Sequence, residues 1–316
     1  MMQARFTTPN KVPAADERAR TYTLGQSTVT VSRPAGGLYL VATPIGNLGD
    51  ITLRALETLA GCDVIACEDS RVTRKLTDRF LISTPLTPYH EHNAQAARPK
   101  LLQRLAEGGA VALVSDAGTP LISDPGFKLV REVAAAGHAI TSIPGASAVL
   151  AALTVAGLPT DRFYFDGFLP PKQGARRFRL KELATIDATL ILFEGGSRVA
   201  DTLADLADVM GDREGAVCRE LTKLHEDVRR ATLATLAADA GRLETRGEFV
   251  IVIAPPPAGA QQLSADEVDD ILKTAMKTQS VKDAVAQAVE LSGWPKREVY
   301  ARALELAKQD AGDEED

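Results

Sequence analysis

Short apolar runs bounded by glycine, proline and aspartate recur along the first half of the chain: LYLVAT at 38–43, DVIAC at 63–67, AVALVS at 110–115 and HAITSI at 138–143. Segments with helical character separate them, at 53–60, 94–107, 127–136 and 146–156, and the last three close on Gly108-Gly109, Gly137 and Gly157. A strand that is apolar at nearly every position needs cover on both faces. Alternating such strands with helices predicts an α/β unit with a mostly parallel sheet. A second α/β unit opens at Arg162, with strands predicted at 163–168, 189–193, 215–219 and 249–254 and helices near 175–185 and 198–208.

These patterns divide the chain into five parts. Residues 1–36, rich in proline and polar residues, read as a mobile extension. The two α/β domains are expected at 37–158 and 159–256. A helical domain is expected at 257–309, entered through a linker of Pro255-Pro256-Pro257 with Gly259, and 310–316 form an acidic tail. Ser264 and Glu267 have capping-box spacing. Val281, Ala284, Val285 and Ala288, and again Tyr300, Ala303, Leu304 and Ala307, form apolar stripes at helical spacing.

Composition narrows the function classes. With 45% hydrophobic and 25% charged residues the chain is an ordinary globular protein, not a disordered one. It has no apolar run long enough for a membrane span and no signal-peptide core, which points to the cytoplasm. The net charge of −6 comes almost wholly from the tail, whose five acids leave 36 bases against 37 acids elsewhere. Any nucleic-acid surface must therefore be local. Cys62, Cys67 and Cys218 have no metal or disulfide spacing and read as buried thiols. Walker, GxGxxG, HExxH and GxSxG patterns are absent. His90-Glu91-His92 reads as a polar loop, and no metal is expected.

Four turns at strand ends carry the remaining chemistry. They are Thr43 to Asp50 (TPIGNLGD), Cys67 to Lys75 (CEDSRVTRK), Ser115 to Gly126 (SDAGTPLISDPG) and Ile143 to Ser147 (IPGAS). Taken singly, the first and fourth are also ordinary strand-to-helix turns, and the second is also an ordinary helix start. The third is longer than a connection requires. Together they place glycines, acids and helix N-termini at the carboxyl edge of one sheet, where open α/β sheets bind ligands.

The segments VATPIGNLGDITLRAL, EDSRVT, LVSDAGTPLISDPG, IPGAS, GLPTDRFYFDGFLP and CRELTKLHE resemble the ribosomal RNA small-subunit methyltransferase I family of the tetrapyrrole-methylase superfamily. The resemblance is near-continuous over 38–254 and weaker over 264–308. It implies two tetrapyrrole-methylase-type α/β domains with S-adenosylmethionine (SAM) between them, a small C-terminal helical domain and a homodimer. It also implies 2′-O-methylation of a cytidine in the decoding centre of 16S rRNA, with the rRNA bound within the small ribosomal subunit. Carried over by position, cofactor contacts fall on Pro44, Gly46, Asp116, Ala117, Gly118, Thr119, Pro144 and Ser147, and on Gly167, Phe168 and Leu169 across the cleft. Glu68, Asp69 and Arg71 face the RNA side, and Arg219, Glu220 and Lys223 approach from the second domain. The chain departs from the family's Glu-Ser-Pro-His-Arg at Glu194-Gly195-Gly196-Ser197-Arg198, and from its Pro at Ala146.

The expected reaction is in-line attack of a ribose 2′-hydroxyl on the sulfonium methyl, leaving S-adenosylhomocysteine. Glu68 and Asp69 are the carboxylates placed to act as base, and Lys223 is placed to polarise the hydroxyl or hold phosphate. The acid-free stretch 170–181 carries Lys172, Arg176, Arg177, Arg179 and Lys181 next to the cofactor loop and is expected to bind RNA phosphates, although a charge run of this kind also suits a solvated helix face. Two other readings remain: C-methylation of a tetrapyrrole, and an assembly factor with a vestigial cofactor site.

Overall fold

The computed structural model describes residues 19–257 and 265–313, with side chains up to residue 307. The first half forms a five-stranded sheet in the order β5-β4-β6-β3-β7. Its strands are β3 (Gly37–Val41), β4 (Val64–Cys67), β5 (Leu86–Pro88), β6 (Ala110–Val114) and β7 (Ile140–Ile143). Every pairing in it is parallel. Central β6 is buried at each of its positions, as its uninterrupted apolar sequence requires. Val111 and Leu113 pack with Leu101 and Leu105 of α3 (Ala94–Ala106) and Leu129 and Val133 of α4 (Phe127–Ala135). Ala112 and Val114 face the other way, toward Leu56 and Leu59 of α1 (Leu53–Gly61) and Leu76 of α2 (Ser70–Arg79).

The second sheet has the order β11-β10-β12-β9-β8, with β8 (Phe163–Phe168), β9 (Thr189–Gly195), β10 (Glu214–Arg219), β11 (Asp227–Thr232) and β12 (Glu248–Ile253). Only β8 and β9 run parallel, and the other neighbours are antiparallel. Leu190, Leu192, Ile251 and Ile253 face α6 (Gln173–Leu183), α7 (Val199–Met210) and α8 (Leu233–Ala238). The opposite face, with Ile191, Ala216, Cys218, Val250 and Val252, is covered by Ala152, Leu153 and Ala156 of α5 (Ala148–Ala156). Helix α5 thus precedes the boundary expected at 158/159 yet packs on the second sheet. This crossing draws the two sheets together around a shared apolar layer.

Part of the expected mobile extension is ordered. Strands β1 (Thr21–Leu24) and β2 (Ser27–Thr30) form an antiparallel hairpin, while residues 1–18 lie outside the described region. Tyr22 is buried in the core beside α1, and Thr23 donates a backbone hydrogen bond to Phe80 at 2.8 Å. Arg20 and Arg33 both bind the carboxylate of Asp63, which also accepts from the Ala110 N–H. Hairpin strands this short leave little periodicity to read, and their anchorage is entirely long-range.

Helices α9 (Ala265–Met276), α10 (Val281–Ser292) and α11 (Lys296–Asp313) share a separate core. In α11 the buried stripe is Val299, Ala303 and Leu306, while Tyr300 and Leu304 are exposed. The stripe expected from sequence is thus rotated by about one residue. Ser264 of the capping box, Gly259 of the linker and 314–316 of the tail lie outside the described residues. Among the described residues, no helix is long and apolar enough to cross a membrane.

Candidate ligand cleft

The four strand-end turns are laced together by hydrogen bonds. Thr43 and Gly118 exchange two backbone bonds, at 2.9 and 3.0 Å. Thr119 Oγ1 donates to the Ala146 carbonyl at 3.2 Å. Asp116 Oδ1 accepts from the Asp69 N–H at 2.9 Å. The turns after β3, β4, β6 and β7 therefore form one unit at the carboxyl edge of the parallel sheet, the usual ligand edge of such sheets.

That unit meets the α5-facing surface of the second sheet around a cavity of about 280 Å³. Of the residues to which the resemblance assigned cofactor contacts, Asp116, Ala117, Gly118, Thr119, Ser147 and Phe168 line it. Pro44, Gly46, Pro144, Gly167 and Leu169 do not, and Leu169 is instead buried beneath the loop in the second core. Sequence reasoning missed the apolar wall made by Ile45, Val149, Phe193, Cys218 and Val250. The only signal for Phe193 and Val250 was their strand alternation, and which face meets the cleft depends on α5.

Backbone strain concentrates here. Of the five described non-glycine residues with positive φ, Leu121 and Ser123 lie in the third turn, and Glu220 and Thr222 lie in the segment after β10. Such conformations are costly and persist where the surroundings impose them, often at ligand sites.

Glu194, 2% exposed, serves as a brace. Its carboxylate binds Arg198 at 2.6 Å and accepts from Thr202 Oγ1 at 2.7 Å, and Arg198 donates to the Leu169 carbonyl at 3.3 Å. The pair thereby ties the loop at Leu169 to β9. Ser197, where the resembled family has His, is exposed.

The titratable groups divide by environment. Asp69 caps α2 by accepting from the Arg71 N–H at 2.8 Å and pairs with the Arg71 side chain, which holds it down at about 2. Among the described residues Glu68 has no such partner. Burial raises its pKa first, and the charges of Asp116, Asp124 and Asp69 raise it further. Asp124, in the third turn, is also raised by burial. Lys223 binds Glu220 at 2.8 Å and Glu248 at 3.0 Å. Burial opposes its charge, but these two carboxylates prevail and raise its pKa. Arg219 donates to the Arg246 carbonyl at 2.9 Å, and Glu220 also accepts from the Glu248 N–H.

The expected phosphate patch on α6 requires correction. Arg176 is 3% exposed and forms a buried pair with Asp205 at 2.7 Å. Arg177 binds Asp205 and Asp208, and Arg179 binds Asp166 and Glu182. These arginines hold α6 against α7 and β8 rather than presenting free charge. Lys172, at the start of α6, stays exposed. The stretch had looked unopposed because its partner acids lie on other elements. Among the described residues there is no cluster of three metal-ligating side chains.

The model of the tetrapyrrole (corrin/porphyrin) methylases matches residues 37–237, and that of the RsmI C-terminal HTH domain matches 262–307. A protein of Mesorhizobium japonicum named ribosomal RNA small subunit methyltransferase I is 47% identical over 285 residues, covering 90% of this chain and 96% of the relative. Among solved structures, a diphthine synthase superposes with a TM-score of 0.56 at 17% identity, covering 72% of this chain and 91% of its own. A uroporphyrin-III C-methyltransferase from Thermus thermophilus, complexed with S-adenosylhomocysteine, superposes with a TM-score of 0.50 at 22% identity, covering 69% of this chain and 97% of its own. Both share its fold.

Proposed function

Because the chain belongs to the ribosomal RNA small subunit methyltransferase I family, we propose that its cleft binds SAM and that it methylates the ribose 2′-oxygen of a cytidine in the decoding centre of 16S rRNA. The observation that carries this reading is the laced set of four turns, which builds a single walled cavity against the second sheet.

The residues present fit the cofactor. Ile45, Val149, Phe193 and Val250 offer apolar walls suited to a purine ring, and the turn 116–119 and the start of α5 offer polar backbone. Asp116 brings a negative charge suited to a cationic ligand. When bound, SAM supplies an electrophilic methyl group.

The chain's own residues do the rest. Glu68 takes the proton of the 2′-hydroxyl: it stands between the end of β4 and the Asp69 amide that binds Asp116 of the cavity wall, it has no ion-pair partner among the described residues, and its raised pKa suits a base better than the capped, paired Asp69. Asp69 orients α2 and Arg71. Lys223, held by Glu220 and Glu248, supplies a fixed positive charge from the second sheet. Alignment of hydroxyl and methyl provides the larger share, about 7–11 kcal/mol in well-oriented systems.

The protein acts on small ribosomal subunits in the cytoplasm and works as a homodimer. Support for the dimer comes from β8, an edge strand with one unpaired side, where Phe163 and Tyr164 are exposed and Phe178 of neighbouring α6 is 66% exposed. Phe178→Glu should give a monomer by analytical ultracentrifugation.

The deciding experiment incubates the protein with methyl-labelled SAM and small subunits lacking the modification, then maps the label. Label on one cytidine 2′-oxygen supports the reading. Binding of SAM without transfer to subunits overturns it in favour of tetrapyrrole methylation.

A further inference from the structure

The substrate's phosphates need cations. The three arginines of α6 are closed by acids, which leaves only the separate Lys172 and Lys181 at its two ends without an acid partner among the described residues. Helix α2 instead presents a continuous cationic face. Its buried side is Thr73, Leu76 and Thr77. At 100° per residue, the opposite side carries Arg71, Arg74, Lys75, Asp78 and Arg79, four cations against one acid. Arg71 shares its charge with Asp69. Among the described residues, Arg74, Lys75 and Arg79 form no ion pair with an acid; the Arg79 guanidinium lies over the ring of its neighbour Phe80.

The position of this face matters as much as its charge. The helix starts at the strand-end turn that carries Glu68, and Asp69 at its cap is bonded to Asp116 of the cavity wall. From Arg71 to Arg79 the outward cations span roughly 12 Å along the helix axis. A cationic face of that length leading away from the cleft matches a run of backbone phosphates leading away from a nucleotide held in it.

We infer that the outer face of α2 (Arg74, Lys75 and Arg79, beginning from Arg71) is the track that binds RNA phosphates flanking the target nucleotide. This rests on the substrate reading above. The occupant is single-stranded or loop RNA, because polyanion binding answers both the charge and its linear layout.

The test is Arg74→Glu/Lys75→Glu in the full-length protein, assayed with small subunits lacking the modification at several salt concentrations. Both side chains are exposed, so folding and affinity for S-adenosylhomocysteine should be unchanged. KM for subunits should rise at least tenfold with kcat within about twofold. The slope of log affinity against log salt should fall by about 1.5, the value for two lost phosphate contacts. Arg74→Gln/Lys75→Gln should give a smaller change in the same direction. Lys100→Glu/Arg104→Glu, the same reversal on the exposed side of α3, should behave as wild type. Unchanged KM and salt slope in the α2 variant overturn the inference while leaving the substrate reading intact. So does an equal loss in the α3 control. Weakened binding to subunits but not to protein-free 16S rRNA overturns it in favour of contact with a ribosomal protein. If the wild type methylates no subunit, both fall together.

Discussion

The aliphatic stem of Lys223 occupies the space where Gly46 would carry a side chain, so a β-carbon on Gly46 would collide with Lys223 Cγ and crowd Thr222 Oγ1. The contact joins the first turn of the parallel sheet to the segment after β10. It explains why a glycine that does not line the cavity still stands in the site. It also fixes where the Lys223 ammonium sits between Glu220 and Glu248. Gly46→Ala should displace that ammonium and lower methyl transfer on the order of 10²-fold, with affinity for S-adenosylhomocysteine little changed. A double-mutant cycle with Lys223→Ala checks the cause: the combined variant should be no worse than the poorer single one. If the two losses multiply, Gly46 does not act through Lys223.

Glu68 and Asp69 are adjacent yet separated in acidity, and that predicts a pH profile. Glu68 acts when ionised, and its pKa lies above the ordinary carboxylate value. Single-turnover rates should therefore rise with pH through a pKa above that value and then level off. Glu68→Gln should abolish this limb and lower the rate by about 10²-fold or more. Asp69, held at about 2, stays ionised across the assay range and adds no limb. Asp69→Ala, which removes the capping oxygen, should weaken the start of α2 and leave the Glu68 limb in place. A pH limb that survives in Glu68→Gln would show that another group is the base.

Arg176 makes a stability prediction in place of an RNA-binding one. Removing Arg176 leaves the buried Asp205 carboxylate with only Arg177 and Gln173, so the cost falls at the lower end of the roughly 3–5 kcal/mol of a fully stranded charge. Arg176→Ala should lose that much in chemical denaturation. Arg176→Met with Asp205→Leu should recover most of it, because no unpaired charge remains. Failure of the double variant to recover stability would mean that packing, not charge, dominates the site.

Asp63 ties the N-terminal hairpin to the first domain. Burial pushes its carboxyl up, but Arg33, the Ala110 N–H and Arg20 outweigh burial and hold it well below the carboxylate range. A depressed pKa stabilises the fold fully above the unfolded value, about 3.9, and loses that contribution as pH falls through the folded value. Asp63→Asn should lower the melting temperature by a few degrees at pH 7. The gap to wild type should narrow below about pH 4. Protection of the Thr23 amide in hydrogen exchange should fall in the variant. An equal gap at pH 7 and pH 3 would mean that charge is not what holds the hairpin.

Strands such as Ala110–Val114, and the glycines, prolines and acids that end them, were legible in the amino-acid sequence because they depend on near neighbours: an apolar run needs cover, and Gly118 or Asp69 shapes its own turn. So were the four turns of the site and the family they resemble. The tertiary structure alone decided how those pieces met. It set the second sheet mostly antiparallel and sent α5 across to cover it, which selected Phe193 and Val250 as cavity wall. It folded residues 19–36 against Asp63. It also reversed the reading of α6, closing its arginines with Asp205, Asp208 and Asp166, and it left Arg74 and Lys75 of α2 free of acid partners among the described residues. The reason is physical. A charge is spent or available according to what lies within a few ångströms of it, and for Arg176 and Asp205, 29 residues apart in the chain, only packing sets that distance.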